Sequence, residues 1–289
     1  MKNFYKLSDL ESWTEPPEEI RLGVLGQPVA HSLSPPLQNA ALKEADLTMR
    51  YARFEISPNE LARALDRCAA LDFAGVNLTV PHKVAGFSLV NECDAFAQQV
   101  GAINTIRFVA GRMRAANTDG PGFEGGIRES FRTELRDLRV LVLGAGGGAG
   151  RALAAQCVLT GCARLALANR TFEKAQALAE RWNRPGIFAV PWREISSGKA
   201  LREVDLIVNA TPLGLHPNHL SPLPAHLLGA QHLVYDLNYR PTALLAAAAE
   251  AGARTASGLT MLLHQGALAF EFWFERDAPI AAMRAALGL

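Results

Sequence analysis

The stretch Gly144-Ala145-Gly146-Gly147-Gly148-Ala149-Gly150 carries five glycines between an apolar run, Leu138 to Leu143, and an alanine-rich run, Ala152 to Leu159. A strand, a glycine turn and a helix N-terminus in that order form a dinucleotide site. Glycine permits the tight turn and lets backbone N–H groups approach a pyrophosphate. The unpaired N–H groups and the positive end of the helix dipole then hold the phosphates. The next strand, Arg164 to Ala168, ends at Asn169-Arg170-Thr171. A site for NAD usually has Asp or Glu there, to bind the ribose 2′-hydroxyl. Asn169 followed by Arg170 suits a 2′-phosphate instead, which a guanidinium attracts and a carboxylate would repel. Thr171 adds a hydroxyl and is placed to cap the next helix, and Lys174 lies one turn on. The cofactor read from these residues is NADP.

A second set lies in the first half of the chain. Ser32 and Ser34 sit in a loop after the strand Arg21 to Gly26, ahead of a helix predicted from about Leu37 to Ala45. Ser34 is placed to cap that helix, with Pro35 just inside it. Two hydroxyls at a helix N-terminus, at the carboxyl edge of a strand where open α/β sheets bind ligands, suit a small carboxylate. Lys83 falls at the same edge, after the strand Gly75 to Val80 and its stop at Pro81. A lysine in a cleft there is able to move a proton. Asp119 reads as the N-cap of a helix from Phe123 to Arg132.

Positioning these groups takes an α/β architecture of two domains. Residues 1–20 read as an N-terminal extension outside the main fold, with Pro16-Pro17 as its linker. The amphipathic start of that extension (Phe4, Tyr5, Leu7, Leu10, Trp13) docks either on the body or on a partner. Residues 21–120 read as a substrate-binding catalytic domain, completed by C-terminal helices over 258–289, and residues 121–257 as a Rossmann-like cofactor domain. The pattern predicts strands over Met49–Ile56, Val100–Thr105, Arg112–Asn117, Ile187–Val190, Asp205–Ala210, His232–Tyr239 and Arg254–Ala256. Helices are predicted over Pro58–Ala70, Thr171–Trp182 and Thr242–Ala251. A last helix from Leu259 to Glu275 would carry Gln265 back toward the first domain.

Bulk composition narrows the function classes. The chain of 289 residues is 49% apolar and 20% charged, normal for a globular protein, and its net charge of +1 from 29 basic and 28 acidic residues argues against nucleic-acid or membrane-surface binding. No apolar run approaches the length that spans a bilayer, and the polar start does not read as a signal peptide. Cys68, Cys93, Cys157 and Cys162 are scattered without a C-x-x-C pair, which fits a reduced cytoplasmic setting and no metal site.

In order along the chain, the motifs resemble the shikimate dehydrogenase family from Leu22 to Leu289. The strings are His31-Ser32-Leu33-Ser34-Pro35, Asn77-Leu78-Thr79-Val80-Pro81-His82-Lys83 and Gly101-Ala102-Ile103-Asn104-Thr105. They continue with Asn117-Thr118-Asp119-Gly120, the glycine loop, Asn169-Arg170-Thr171 and Asn209-Ala210-Thr211-Pro212-Leu213-Gly214. Tyr235-Asp236-Leu237-Asn238-Tyr239 and Gly258-Leu259-Thr260-Met261-Leu262-Leu263-His264-Gln265 complete the set. The resemblance implies the reversible NADP-linked reduction of 3-dehydroshikimate to shikimate, in chorismate and aromatic amino-acid biosynthesis, with the cleft between the two domains. It implies that Ser32 and Ser34 bind the substrate carboxylate. It further implies that Thr79, Asn104, Tyr239 and Gln265 hold the ring and its hydroxyls, and that Lys83 and Asp119 form the catalytic pair. The cofactor set it implies is Gly144, Gly146, Gly147, Gly148, Ala149, Asn169, Arg170, Thr171, Lys174, Thr211 and Gly258. The expected partner is a small-molecule substrate, with the chain a monomer or homodimer. Two departures stand out. The glycine loop is one residue longer than the commonest family form, so Gly146 to Ala149 are expected to contact phosphate collectively. The extension before Arg21 is also unusual in the family. Two alternatives stay open: a relative of broader quinate or NAD use, and a silent ligand sensor on the same fold.

Overall fold

The computed structural model describes residues 3–214, 216 and 218–289. The chain divides into two α/β units, one of Met1–Thr118 with Leu263–Leu289, the other of Asp119–Leu262. The long helix Leu259–Phe274 starts in the second and ends in the first.

The first unit holds a seven-stranded sheet in the order Tyr5–Lys6, Arg50–Glu55, Ile20–Gly26, Gly75–Leu78, Thr105–Val109, Arg112–Ala116, Glu92–Cys93. The first four run parallel, and Thr105–Val109 is antiparallel to both its neighbours. Ile20–Gly26 buries every residue except Arg21, as a parallel strand covered on both faces must. Leu25, Phe54, Leu65, Phe73, Val76 and Leu78 form the core on one face. The helix Ile280–Leu287 packs on Ser34–Glu44, and Trp273 of the long helix donates its indole N–H to the Ile106 carbonyl at 2.9 Å.

Three sequence expectations are corrected here. The N-terminal segment is not outside the fold. Tyr5 and Lys6 pair in parallel with Phe54 and Glu55, and Leu7 and Leu10 are buried in the same core. Tyr5 and Trp13 stack edge to face at 5.0 Å, and Arg67 donates to the carbonyls of Leu10 and Trp13. The apolar side of an amphipathic segment finds its partner at the open sheet edge. The strand expected from Val100 starts instead at Thr105. Ala95–Val100 is a helix whose N-cap Asp94 accepts from the Ala97 N–H and whose left-handed Gly101 ends it. The helix expected from Leu37 begins at Ser34, because Pro35 and Pro36 fit a first turn, where an N–H has no intrahelical partner.

The second unit is a six-stranded, all-parallel sheet in the order Ile187–Ala189, Arg164–Ala168, Arg139–Leu143, Leu206–Asn209, Leu233–Asp236, Arg254–Ser257. The third strand of this unit in chain order lies first and the order reverses beside Arg139–Leu143, which is the doubly wound arrangement. Val140 and Val142 enter one apolar cluster and Leu141 and Leu143 another, so both faces of the sheet are covered. The strand expected over His232–Tyr239 spans only Leu233–Asp236, because Asp236 Oδ1 accepts from the Asn238 N–H at 3.0 Å and turns the chain. The helix Asp119–Phe131 begins four residues before the expected Phe123, so Asp119 is its first residue and not a separate cap. No described helix is long and apolar enough to cross a membrane.

Candidate functional site

In the first unit the expected site residues gather at one edge of the sheet. Ser32 and Ser34 follow the strand Ile20–Gly26, and both are half-buried. The helix N-cap is Leu33, which offers no side-chain acceptor, so Ser34 does not cap as expected. Instead the Ser34 N–H donates to Ser32 Oγ at 3.2 Å. Thr79 follows Gly75–Leu78. Its N–H donates to the Leu25 carbonyl and its carbonyl accepts from the His82 N–H at 2.8 Å, a turn that starts the helix His82–Phe87. Lys83 lies in the first turn of that helix, half-buried, and its carbonyl accepts from the Ile103 N–H at 2.9 Å, one residue before Asn104. His82 is buried with Nε2 2.8 Å from the Ile56 carbonyl, and burial holds its pKa below the ordinary value. The neutral ring then donates from Nε2 and anchors the helix that carries Lys83.

Asn104 is buried at the centre of a polar network. Its Oδ1 accepts from the Thr118 N–H at 2.8 Å, and its Nδ2 donates to Thr118 Oγ1 at 2.9 Å and to Gln265 Oε1 at 3.3 Å. The structure thus brings Asn104 and Gln265 together although 161 residues separate them. Behind them the Tyr51 hydroxyl donates to Asn77 Oδ1 at 2.7 Å, and Asn77 Nδ2 donates to the Asn104 carbonyl and to Thr105 Oγ1. Both the oxygen and the nitrogen of the Asn104 amide have partners, which fixes it in one orientation. Asp119 follows directly on Thr118 and is buried.

In the second unit the expected cofactor residues stand at the carboxyl edge, at the ends of successive strands. Gly144 has φ of +87°, open to glycine at little cost, and it follows Arg139–Leu143. The Gly146 N–H donates to Asn169 Oδ1 at 3.2 Å and the Gly147 N–H to the Gly144 carbonyl at 3.2 Å. Both are engaged inside the loop. The helix starts at Gly148, which leaves the N–H groups of Gly148, Ala149 and Gly150 outside the intrahelical ladder. Asn169 also donates to the Thr171 carbonyl at 2.9 Å, so one amide ties the glycine loop to the second strand end. Arg170, Thr171 and Lys174 are exposed beside it. Thr171 occupies the N-cap position of Phe172–Trp182 but its hydroxyl makes no cap bond, contrary to expectation. Thr211 Oγ1 donates to Asn209 Oδ1 at 2.6 Å and accepts from the Leu213 N–H. Gly258 precedes the long helix, its N–H on the Asn238 carbonyl at 3.1 Å. Tyr239 follows Leu233–Asp236. Desolvation of its phenol, with the Asp119 carboxylate adding to it, pushes the pKa up to about 12, although the residue as a whole is 38% exposed.

Sequence reasoning missed two supports of these loops. Gly150 is one. A Cβ there would overlap the Gly144 carbonyl oxygen and lie 2.8 Å from Ala145 Cα, so only glycine lets the helix pack onto the strand end. The other is buried Asp236, which accepts from Asn209, Asn238 and Thr242 and so holds the loop bearing Thr211. A carboxylate closing an apolar strand was the signal for it.

Comparison with known proteins matches both units. The family profile described as shikimate dehydrogenase substrate binding domain matches residues 24–106, that of shikimate / quinate 5-dehydrogenase residues 127–215, and that of the shikimate 5′-dehydrogenase C-terminal domain residues 258–287. Shikimate dehydrogenase (NADP(+)) of Methanopyrus kandleri is 41% identical, over 92% of this chain and 94% of that protein. The crystal structure of shikimate 5-dehydrogenase from Thermus thermophilus, in complex with NADP(H) and shikimate, aligns with a TM-score of 0.81 at 38% identity, covering 93% of this chain and 98% of that one. Quinate dehydrogenase from Corynebacterium glutamicum, in complex with NAD, aligns with a TM-score of 0.83 at 33% identity, covering 94% and 99%. Similarity at these levels over more than nine-tenths of the chain, with the motifs seated at the carboxyl edge of each sheet, shows that the chain belongs to the shikimate dehydrogenase family.

Proposed function

We propose that this chain catalyses the reversible NADPH-dependent reduction of 3-dehydroshikimate to shikimate in aromatic amino-acid biosynthesis. The observation that carries the reading is the match to NADP-dependent shikimate dehydrogenase along both units. The residues present fit NADP. The helix-start N–H groups, brought up by the close packing of Gly150 on the strand end, and the exposed Arg170 in place of a carboxylate suit a dinucleotide with a 2′-phosphate. Gly146 and Gly147 shape the loop from within, so the phosphate-binding N–H groups belong to Gly148 and Ala149, with Gly150 beside them. Asn169, Thr171, Lys174, Thr211 and Gly258 frame the same cofactor.

The nicotinamide, when bound, supplies the hydride in reduction and accepts it in oxidation. Reduction also adds one proton to the substrate carbonyl oxygen, and the protein must deliver it. Lys83 is the group that moves that proton, on a helix anchored by buried His82. Asp119 accepts a hydrogen bond from the reacting group in its hydroxyl form. Ser32 and Ser34 hold the substrate carboxylate, and Thr79, Asn104, Tyr239 and Gln265 hold the ring hydroxyls. The raised pKa of Tyr239 keeps it a hydroxyl donor at any working pH. Asn104 is already oriented by Thr118 and Gln265, so little ordering remains on binding.

Initial rates with NADP and NAD, each with shikimate and with quinate, test this in one assay. High activity confined to NADP with shikimate is the expected result. Comparable rates with quinate or NAD would move the chain to the broader quinate/shikimate group, and no rate in any combination would point to a silent sensor.

A further inference from the structure

Arg53 lies on the strand Arg50–Glu55, opposite Val24 of the strand Ile20–Gly26. Side chains alternate along a strand. Phe54 enters the core with Leu10 and Phe73, so Tyr51 and Arg53 share the other face, the one on which the Tyr51 hydroxyl reaches Asn77 and the Asn104 network. The Arg53 guanidinium is half-buried, and among the described residues no carboxylate lies within ion-pair distance of it. Its Nε and Nη2 both donate to a single acceptor, the Ser32 carbonyl, at 3.1 and 2.7 Å. Burying a cation without a counter-ion is costly, and desolvation lowers the pKa of this arginine. A fold that keeps such a group at a loop suited to a carboxylate gains when an anion arrives.

We infer that Arg53 is a positioning residue that sets the specificity of the serine loop for an anion. Through the Ser32 carbonyl it fixes the backbone that presents the Ser32 and Ser34 hydroxyls, and its positive charge makes the loop prefer a carboxylate to an uncharged group of the same shape. The inference rests on the reading of Ser32 and Ser34 as the carboxylate subsite. An isolated clamp on a backbone carbonyl would only stiffen the loop. A clamp carrying a net charge with no partner of its own also discriminates between charge states.

The test compares kcat/KM for shikimate and for its uncharged methyl ester, with NADP saturating, in the full-length enzyme and in Arg53→Met, Arg53→Lys and Ser34→Ala. Arg53→Met is expected to lower kcat/KM for shikimate about tenfold, mainly through KM, and that for the ester less than about threefold, so the acid-over-ester preference shrinks. The KM for NADP should not change. Arg53→Lys keeps the charge without the fork and should retain most of the acid preference, and it remains informative if the methionine variant fails to fold. Equal losses for acid and ester would make Arg53 a merely structural residue, and no loss would remove it altogether; either result overturns the inference. Ser34→Ala separates the two readings. If it leaves the shikimate KM unchanged, the carboxylate subsite itself is wrong. If it raises that KM while Arg53→Met leaves the preference intact, the subsite stands and only the role of Arg53 falls.

Discussion

Gly150→Ala puts the geometry of the glycine loop to the test. Gly150 lies in the first turn of Gly148–Thr160. A Cβ there would overlap the Gly144 carbonyl oxygen, 2.8 Å from Ala145 Cα and 2.9 Å from the Gly144 carbonyl carbon. Ordinary carbon contacts lie at about 3.5–4.0 Å, and all three neighbours are backbone, so no side chain can rotate away. Overpacking of this kind typically costs about 1–3 kcal/mol. The better helix propensity of alanine opposes it by up to about 1 kcal/mol. With no soft neighbour the clash wins, and the net loss should be about 2 kcal/mol. At roughly 2–4 °C per kcal/mol this lowers Tm by about 4–8 °C. The displaced loop should also weaken NADPH binding by about tenfold or more, since about 1.4 kcal/mol of misplaced N–H contacts is enough for that. Thermal unfolding with and without NADPH reads both effects. Gly147→Ala is the internal control. Its Cβ would meet nothing nearer than the Gly144 carbonyl oxygen at 3.7 Å, and its φ is −81°, so the apo Tm should hold within about 2 °C. If Gly150→Ala leaves Tm and NADPH affinity unchanged, the close packing of this helix onto the strand end does not shape the site.

Lys83→Ala should reduce kcat by about 10²–10⁴-fold with little change in the KM for NADP, and near-normal turnover would remove Lys83 from proton transfer. Arg170→Ala should raise the KM for NADP(H) about tenfold and leave that for NAD(H) as it was, since one charged contact to a phosphate is worth about 1.5–3 kcal/mol at most; equal losses for both cofactors would show that Arg170 does not read the 2′-phosphate. Tyr239→Phe should lower kcat/KM for shikimate about tenfold, the value of one hydrogen bond. Because the phenol pKa is pushed up to about 12, the ratio of wild type to variant should stay flat from pH 7 to 10. A ratio that falls with a midpoint near 10 would mean that the hydroxyl ionises as an ordinary tyrosine does.

The cofactor loop and its helix, the parallel strands of the second unit and the choice of Arg170 over a carboxylate were all legible in the residues themselves. Each depends on contacts within about thirty residues, where glycine freedom, apolar periodicity and charge act locally. Helix starts were less legible. Ser34 and Asp119 both read as caps and are both first residues of their helices, because prolines at Pro35 and Pro121 take up positions whose N–H would be unpaired anyway. Helix Ala95–Val100, which ends where a strand was expected to begin, went unpredicted because a six-residue segment carries too little periodicity to declare itself.

What only tertiary structure decided is which distant groups meet. The amphipathic segment Tyr5–Trp13 left open whether its apolar side faces this chain or another, and the sheet edge at Phe54–Glu55 settled it by supplying unpaired backbone groups and a core to enter. The Asn104–Gln265 bond, the fork of Arg53 on the Ser32 carbonyl and the approach of Gly150 to Gly144 leave little trace in local sequence. Each depends on strand order and helix packing, which bring together atoms whose residue types alone are compatible with many partners. The residue types determined the chemistry available to this protein; the sheets determined which of those groups stand close enough to act on one another.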